Sequence, residues 1–136
     1  MDKCCLTIDI CWFLFFTDNF LSIFYGGIMQ DYIFSNDFSR NLDAMIYTCG
    51  YETCEPGHSY GPVVRSGYLI HYILKGKGIY KTDGHIYQLS EGDAFLIRPD
   101  TLIYYEADKF TPWTYTWIGF QGIKMHQYFS RTSLLE

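Results

Sequence analysis

The chain is short of charge. Only 18% of its 136 residues are Asp, Glu, Lys or Arg, and the acidic ones lead, giving a formal net charge of −5. That balance argues against holding nucleic acid by itself, because phosphate binding needs a surplus of Lys and Arg. An anionic membrane surface is disfavoured for the same reason. Low charge here does not mean disorder, since 49% of the residues are apolar and can build one core. The length suits one domain and is too short for two of ordinary size. Long hydrophobic runs are missing as well. The most apolar stretch, 4–28, is interrupted by Asp9 and Asp18. The longest uncharged run in the first thirty residues is twelve, 19–30, whereas a membrane helix needs about 20. A secretory signal also fits poorly, because Lys3 is opposed by Asp2 and no small-residue cleavage pattern follows.

Chemical motifs are scarce. There is no Gly-x-Ser-x-Gly elbow, no Walker loop and no dinucleotide fingerprint, and Gly76-Lys-Gly78 is short enough to be a turn. The carboxylates Glu91, Asp93, Asp100 and Asp108 fall at turns, where solvated acids are expected. The four histidines, His58, His71, His85 and His126, include no His-x-His pair, so a metal centre of two or three His and a carboxylate is not expected. The five cysteines show no two-residue ligand spacing. They read as reduced thiols of a cytoplasmic protein, with a Cys49–Cys54 disulfide as the lesser alternative. No cofactor is expected. His71 reads as a core or pocket histidine that makes hydrogen bonds, and His58 as a solvated loop residue.

Turns and aromatics are what the sequence does have. After residue 29, short β-rich runs alternate with turn residues: 44–49, 68–74, 79–82, 85–89, 94–98, 102–107 and 113–120. The runs on either side of Asp83-Gly84 predict a hairpin, because both central residues of a type I′ turn need positive φ. Pro99 stops the run before it. Strands every 8–12 residues predict an all-β fold, and the proline corner with the two tight turns predicts a double-sheet jelly roll with an open mouth. Only 124–135 is expected to be helical, too short to pack a whole hydrophobic face. Residues 1–28 are expected to lie outside the domain, irregular or loosely helical, with Met29 as the natural start.

Aromatics make up 20% of the chain. Period-two alternation puts Trp113, Tyr115, Trp117 and Gly119 on one face of the last strand, and Ile103, Tyr105 and Ala107 on one face of the strand before it. Such a ladder either fills the interior or forms a platform on which the apolar face of a sugar ring stacks, with Tyr hydroxyls and an Arg giving direction.

The segment Cys54-Glu-Pro-Gly-His-Ser-Tyr-Gly-Pro-Val-Val-Arg65, the run Tyr68-Leu-Ile-His-Tyr-Ile-Leu-Lys-Gly-Lys-Gly78, then Gly92-Asp-Ala-Phe-Leu-Ile-Arg-Pro99 and Pro112-Trp-Thr-Tyr-Thr-Trp-Ile-Gly-Phe120 appear in this order over about 44–124. Together they resemble the N-terminal sensor domain of AraC-family transcription regulators, nearest to the sugar-metabolism regulators of Gram-positive bacteria. The resemblance implies a cupin-type jelly roll over 29–123, followed from 124 by the start of a linker helix. It also implies a small effector, a mono- or disaccharide, and a homodimer. The matching effector contacts are Arg65, Tyr105 or Tyr104, Tyr115 and Trp117; His71 completes the candidate set. Tyr115 stands where arabinose-responsive members carry a His. The helix-turn-helix domain that reads DNA in such regulators is expected to be absent from this chain. The expected mechanism is a shift in an arm or in the terminal helix when the effector prefers one state. The alternative reading is a small cupin enzyme, a sugar isomerase or epimerase, which would need a metal cluster or a catalytic base facing the cavity. No catalytic residue is expected.

Overall fold

Turn chemistry fixes the strand ends. In the computed structural model, which describes residues 32–35 and 43–135, Asp83 and Gly84 have φ of 50° and 75°, and Thr82 pairs with His85 across them. This is the two-residue hairpin expected from the sequence, with glycine at a position where a side chain would be strained. The described residues belong to the second of two units into which the chain divides, Asp31–Glu136. The expectation for residues 1–28 lies outside the described residues.

Among the described residues nine strands form: β1 (Tyr32–Ser35), β2 (Met45–Thr53), β3 (Ser59–Val64), β4 (Tyr68–Lys75), β5 (Lys77–Thr82), β6 (His85–Ser90), β7 (Ala94–Ile97), β8 (Leu102–Ala107) and β9 (Thr114–Gln121). A five-stranded sheet runs β1-β2-β9-β4-β7, and a four-stranded sheet runs β3-β8-β5-β6. Every strand pairing is antiparallel. This is the expected all-β double-sheet jelly roll.

Two strands escape the sequence reading. Strand β3 lies in a segment with Gly61-Pro62, which argues against a ladder. It survives because it is the edge of its sheet and a bulge falls between Tyr60 and Val63. Strand β1 is only four residues long, held by its pairing with β2. Strand β2 also runs further than expected, to Thr53.

The inward faces of the two sheets make the main core. Leu69 and Ile73 of β4, Phe95 and Ile97 of β7, Ile103 of β8, Tyr80 of β5 and Trp113 are buried there. The Tyr80 hydroxyl donates to the Leu96 carbonyl at 3.1 Å, tying one sheet to the other. The outward face of the five-stranded sheet is also apolar. Tyr68 and Phe120 meet Met125 and Phe129 of a short helix α1 (Met125–Phe129), with the Tyr68 and Phe129 rings 4.5 Å apart. The expected terminal helix therefore forms over five residues, followed by a 3-10 turn at Ser133–Leu135. It covers one patch of the sheet with two side chains. Among the described residues no helix is long and apolar enough to cross a membrane. Cys49 and Cys54 are not joined as a disulfide, so the lesser cysteine alternative does not hold.

A candidate effector cavity between the sheets

Strand alternation delivers side chains from both sheets into one space. Leu69 and His71 of β4 and Tyr115 and Trp117 of β9 enter from the five-stranded sheet, and Tyr60 of β3 and Tyr105 of β8 from the four-stranded sheet. Arg65, in the β3–β4 connection, reaches the same space. The cavity measures about 760 Å³, within the range of about 300–1,000 Å³ usual for small-molecule sites. All five residues singled out from the sequence, Arg65, His71, Tyr105, Tyr115 and Trp117, line it. Tyr104, the alternative to Tyr105, points to the other face and donates to Glu106 Oε2 at 2.6 Å.

The aromatic ladder that begins at Trp113, just before β9, and continues along it is divided between two uses. Trp113 and Tyr115 are 0% and 2% exposed, and Trp113 packs against Phe95 and Tyr105 in the core. Trp117 is only half-buried and presents its indole to the cavity. Its Nε1 donates to Thr48 Oγ1 at 3.5 Å. The ladder thus fills the interior at one end and walls a ligand space at the other.

His71 sits at the centre of this group. Its ring stacks on Phe95 at 4.6 Å, lies 6.1 Å from the Trp117 ring, and is met edge-on by Tyr115 at 5.1 Å. Burial, and then the Arg65 charge, push its pKa down to about 3, so the imidazole is neutral at physiological pH. Its Nδ1 is buried without a hydrogen-bond partner, and so is Arg65 Nε. The Arg65 guanidinium lies 4.6 Å over the Tyr60 ring, a cation–π contact that orients it. Burial raises the pKa of Tyr47, Tyr105 and Tyr115, so all three phenols keep their protons.

Several lining residues were not anticipated. A β-bulge between Ile46 and Thr48 turns Tyr47 and Thr48, consecutive in sequence, into the same cavity. After the bulge, even positions face inward and bring in Glu52. Glu52 Oε2 accepts from the Tyr115 hydroxyl at 2.8 Å, and Oε1 lies 3.3 Å from His58 Nε2. His58, although exposed in its loop, is therefore more than a solvated residue: it pairs with Glu52 and is one of the residues lining the cavity. The alternation on β2 was the only signal for Glu52, and the bulge hides it. No local signal marks the Glu52–His58 pair.

Neutral imidazole, protonated phenols, indole and guanidinium make a set suited to a neutral, hydroxyl-rich ring: aromatic faces for its C–H side and donors and acceptors for its hydroxyls. Among the described residues one carboxylate, Glu52, lines the cavity, so no acid–base pair of carboxylates faces it.

Solved structures share the fold. YhaK from Escherichia coli superposes with a TM-score of 0.58 at 23% identity, over 71% of this chain and 46% of that one. A cupin protein from Bacteroides fragilis gives 0.55 at 22% identity, over 74% and 85%. In sequence, the chain is 40% identical over 102 residues to the Msm operon regulatory protein of Streptococcus mutans. It is 36% identical over 101 residues to the raffinose operon transcriptional regulatory protein of Pediococcus pentosaceus. It is 32% identical over 95 residues to the lactose operon transcription activator of Staphylococcus xylosus. These matches cover 74%, 72% and 70% of this chain but 37%, 36% and 34% of the relatives, so the chain spans about a third of their length. With the family profile described as the AraC-like ligand binding domain matching residues 46–136 as well, the chain belongs to that family.

Proposed function

We propose that the chain is the effector-binding part of a sugar-operon transcription regulator and that its cavity takes a mono- or disaccharide. The observation that carries this reading is the convergence of Arg65, His71, Tyr105, Tyr115 and Trp117 on one cavity of about 760 Å³. Trp117 stacks on a sugar ring, Arg65 and the neutral His71 bond its hydroxyls, and the two tyrosines set its orientation. The relatives named for raffinose and lactose operons support a saccharide effector. In this reading residues 29–123 hold the effector, the segment from 124 begins a linker, and the working unit is a cytoplasmic homodimer. DNA is contacted by sequence that the relatives have beyond the matched part. The effector is bound and released unchanged, so the chain is not an enzyme.

A thermal-shift screen of the chain with mono- and disaccharides, raffinose and lactose included, tests the reading. At least one sugar raises Tm in proportion to the logarithm of its concentration. Trp117→Ala abolishes the rise while the fold survives, and Arg65→Ala weakens binding by about 1.5–3 kcal/mol, the worth of a hydrogen bond to a charged group. A screen in which no sugar moves Tm, or in which the rise persists in both variants, overturns it.

A further inference from the structure

Beside the cavity, three side chains of different chemistry come together on a seven-residue stretch. The Glu52 carboxylate, Cys54 Sγ and a ring nitrogen of His58 all lie within 4.8 Å of one another. Glu52 and Cys54 share a face because they are two apart on extended chain. His58 is brought back by a tight turn, in which its N–H donates to the Glu55 carbonyl at 2.9 Å. The turn between the last two is pinned on both sides: Cys54 N–H donates to the Trp113 carbonyl at 3.1 Å, and the His58 carbonyl accepts from Ala107 N–H at 2.8 Å. The Tyr115 hydroxyl, donating to Glu52 Oε2 at 2.8 Å, leaves Oε1 turned toward His58. Cys54 is 4% exposed, whereas Glu52 and His58 reach the cavity.

We propose that Glu52, Cys54 and His58 form a binding site for a zinc-type divalent cation at the edge of the cavity. Carboxylate, thiolate and imidazole together suit a borderline metal and not Ca²⁺ or Mg²⁺, which take oxygen ligands. Bond lengths of about 2.0–2.3 Å to O, N and S place tetrahedral ligands roughly 3.3–3.8 Å apart. The Glu52–His58 contact of 3.3 Å already meets that spacing, and a small movement of side chains brings in the sulfur. Binding takes the proton from the Cys54 thiol into solvent, and thiolate plus carboxylate then balance the two positive charges. Three protein ligands leave a fourth position for water or for an oxygen of the cavity's occupant. Tyr115 acts as the positioning residue that holds the carboxylate, the role outer hydrogen bonds play around bound metals. This assignment does not depend on the effector being a sugar. The three candidate ligands are of three kinds, in the spacing Glu-x-Cys-x-x-x-His, and include no histidine pair.

Cobalt(II) titration of the full chain under reducing conditions tests it, because cobalt reports both thiolate ligation and tetrahedral geometry by its absorption. The expected result is a thiolate-to-cobalt charge-transfer band with intense visible bands, complete at one equivalent and bleached by one equivalent of Zn²⁺. Cys54→Ser removes the charge-transfer band, His58→Ala weakens Co²⁺ binding by roughly tenfold or more, and Cys49→Ser leaves both unchanged. His58 lies in an exposed loop, so its variant keeps the test sound if Cys54→Ser fails to fold. Absence of tetrahedral cobalt bands in the parent overturns the proposal. So do bands of unchanged strength and affinity in folded His58→Ala or Cys54→Ser.

Discussion

His71 shows how one residue of the cavity wall makes stability depend on pH. Its folded pKa of about 3 lies below the ordinary 6.5 because the imidazole is buried beside Arg65. The unfolded chain therefore takes up the proton first as pH falls. The stabilisation from this group is complete above pH 6.5 and drains away between 6.5 and about 3. Between pH 7 and pH 5, His71 alone accounts for a loss of about 2 kcal/mol, most of it before carboxylates begin to titrate. Urea unfolding at the two pH values measures the loss, and His71→Gln should flatten it. An equal loss in parent and variant would mean that the ring is already protonated in the fold or never leaves water. The neutral ring also fixes what it can do in the cavity, which is to donate from one nitrogen and accept at the other.

At the scale of the element, β9 is the strand on which the arrangement turns. It lies between β2 and β4, and at Gly119 it passes so close to β2 that a Cβ would sit 2.6 Å from Thr48 Cγ2 and 2.8 Å from Tyr47 Cε1. Gly119→Ala is expected to cost about 1–3 kcal/mol by overpacking and to push Tyr47 and Thr48 into the cavity. Urea unfolding reads the first effect, and the rise in Tm expected with the proposed sugar effector reads the second; a variant as stable as the parent would refute the close approach. The same strand shows what sequence reading reaches and where it stops. Alternation along β8 and β9 puts Tyr104 and Tyr105 on opposite faces and Tyr115 and Trp117 on one face, so the faces were legible, but which of the two tyrosines turns inward was left open until the sheets closed. The bulge at Tyr47 breaks the period by one residue, and Gly61-Pro62 disguises an edge strand. Glu52 meets Tyr115 across 63 positions of sequence because β2 and β9 are neighbours in one sheet and pair these two residues, a register that no local pattern in the sequence reveals.

For the whole molecule, charge is the property that decides partners. A net −5 gives a repulsive field toward a phosphate backbone. The chain is expected to leave the mobility of double-stranded operator DNA unchanged at physiological salt, with or without sugar; a sequence-specific shift would contradict it. Strand β9 divides the molecule as well, with the cavity wall of Tyr115 and Trp117 on one side and, through Phe120, the bed of Met125 and Phe129 on the other. A guest that favours one seat of the helix must itself be held more tightly, by the same factor, whenever something else secures that seat. Given such a preference, the little helix would be a second handle on affinity, and whatever gripped it from outside would read the cavity's contents without touching them.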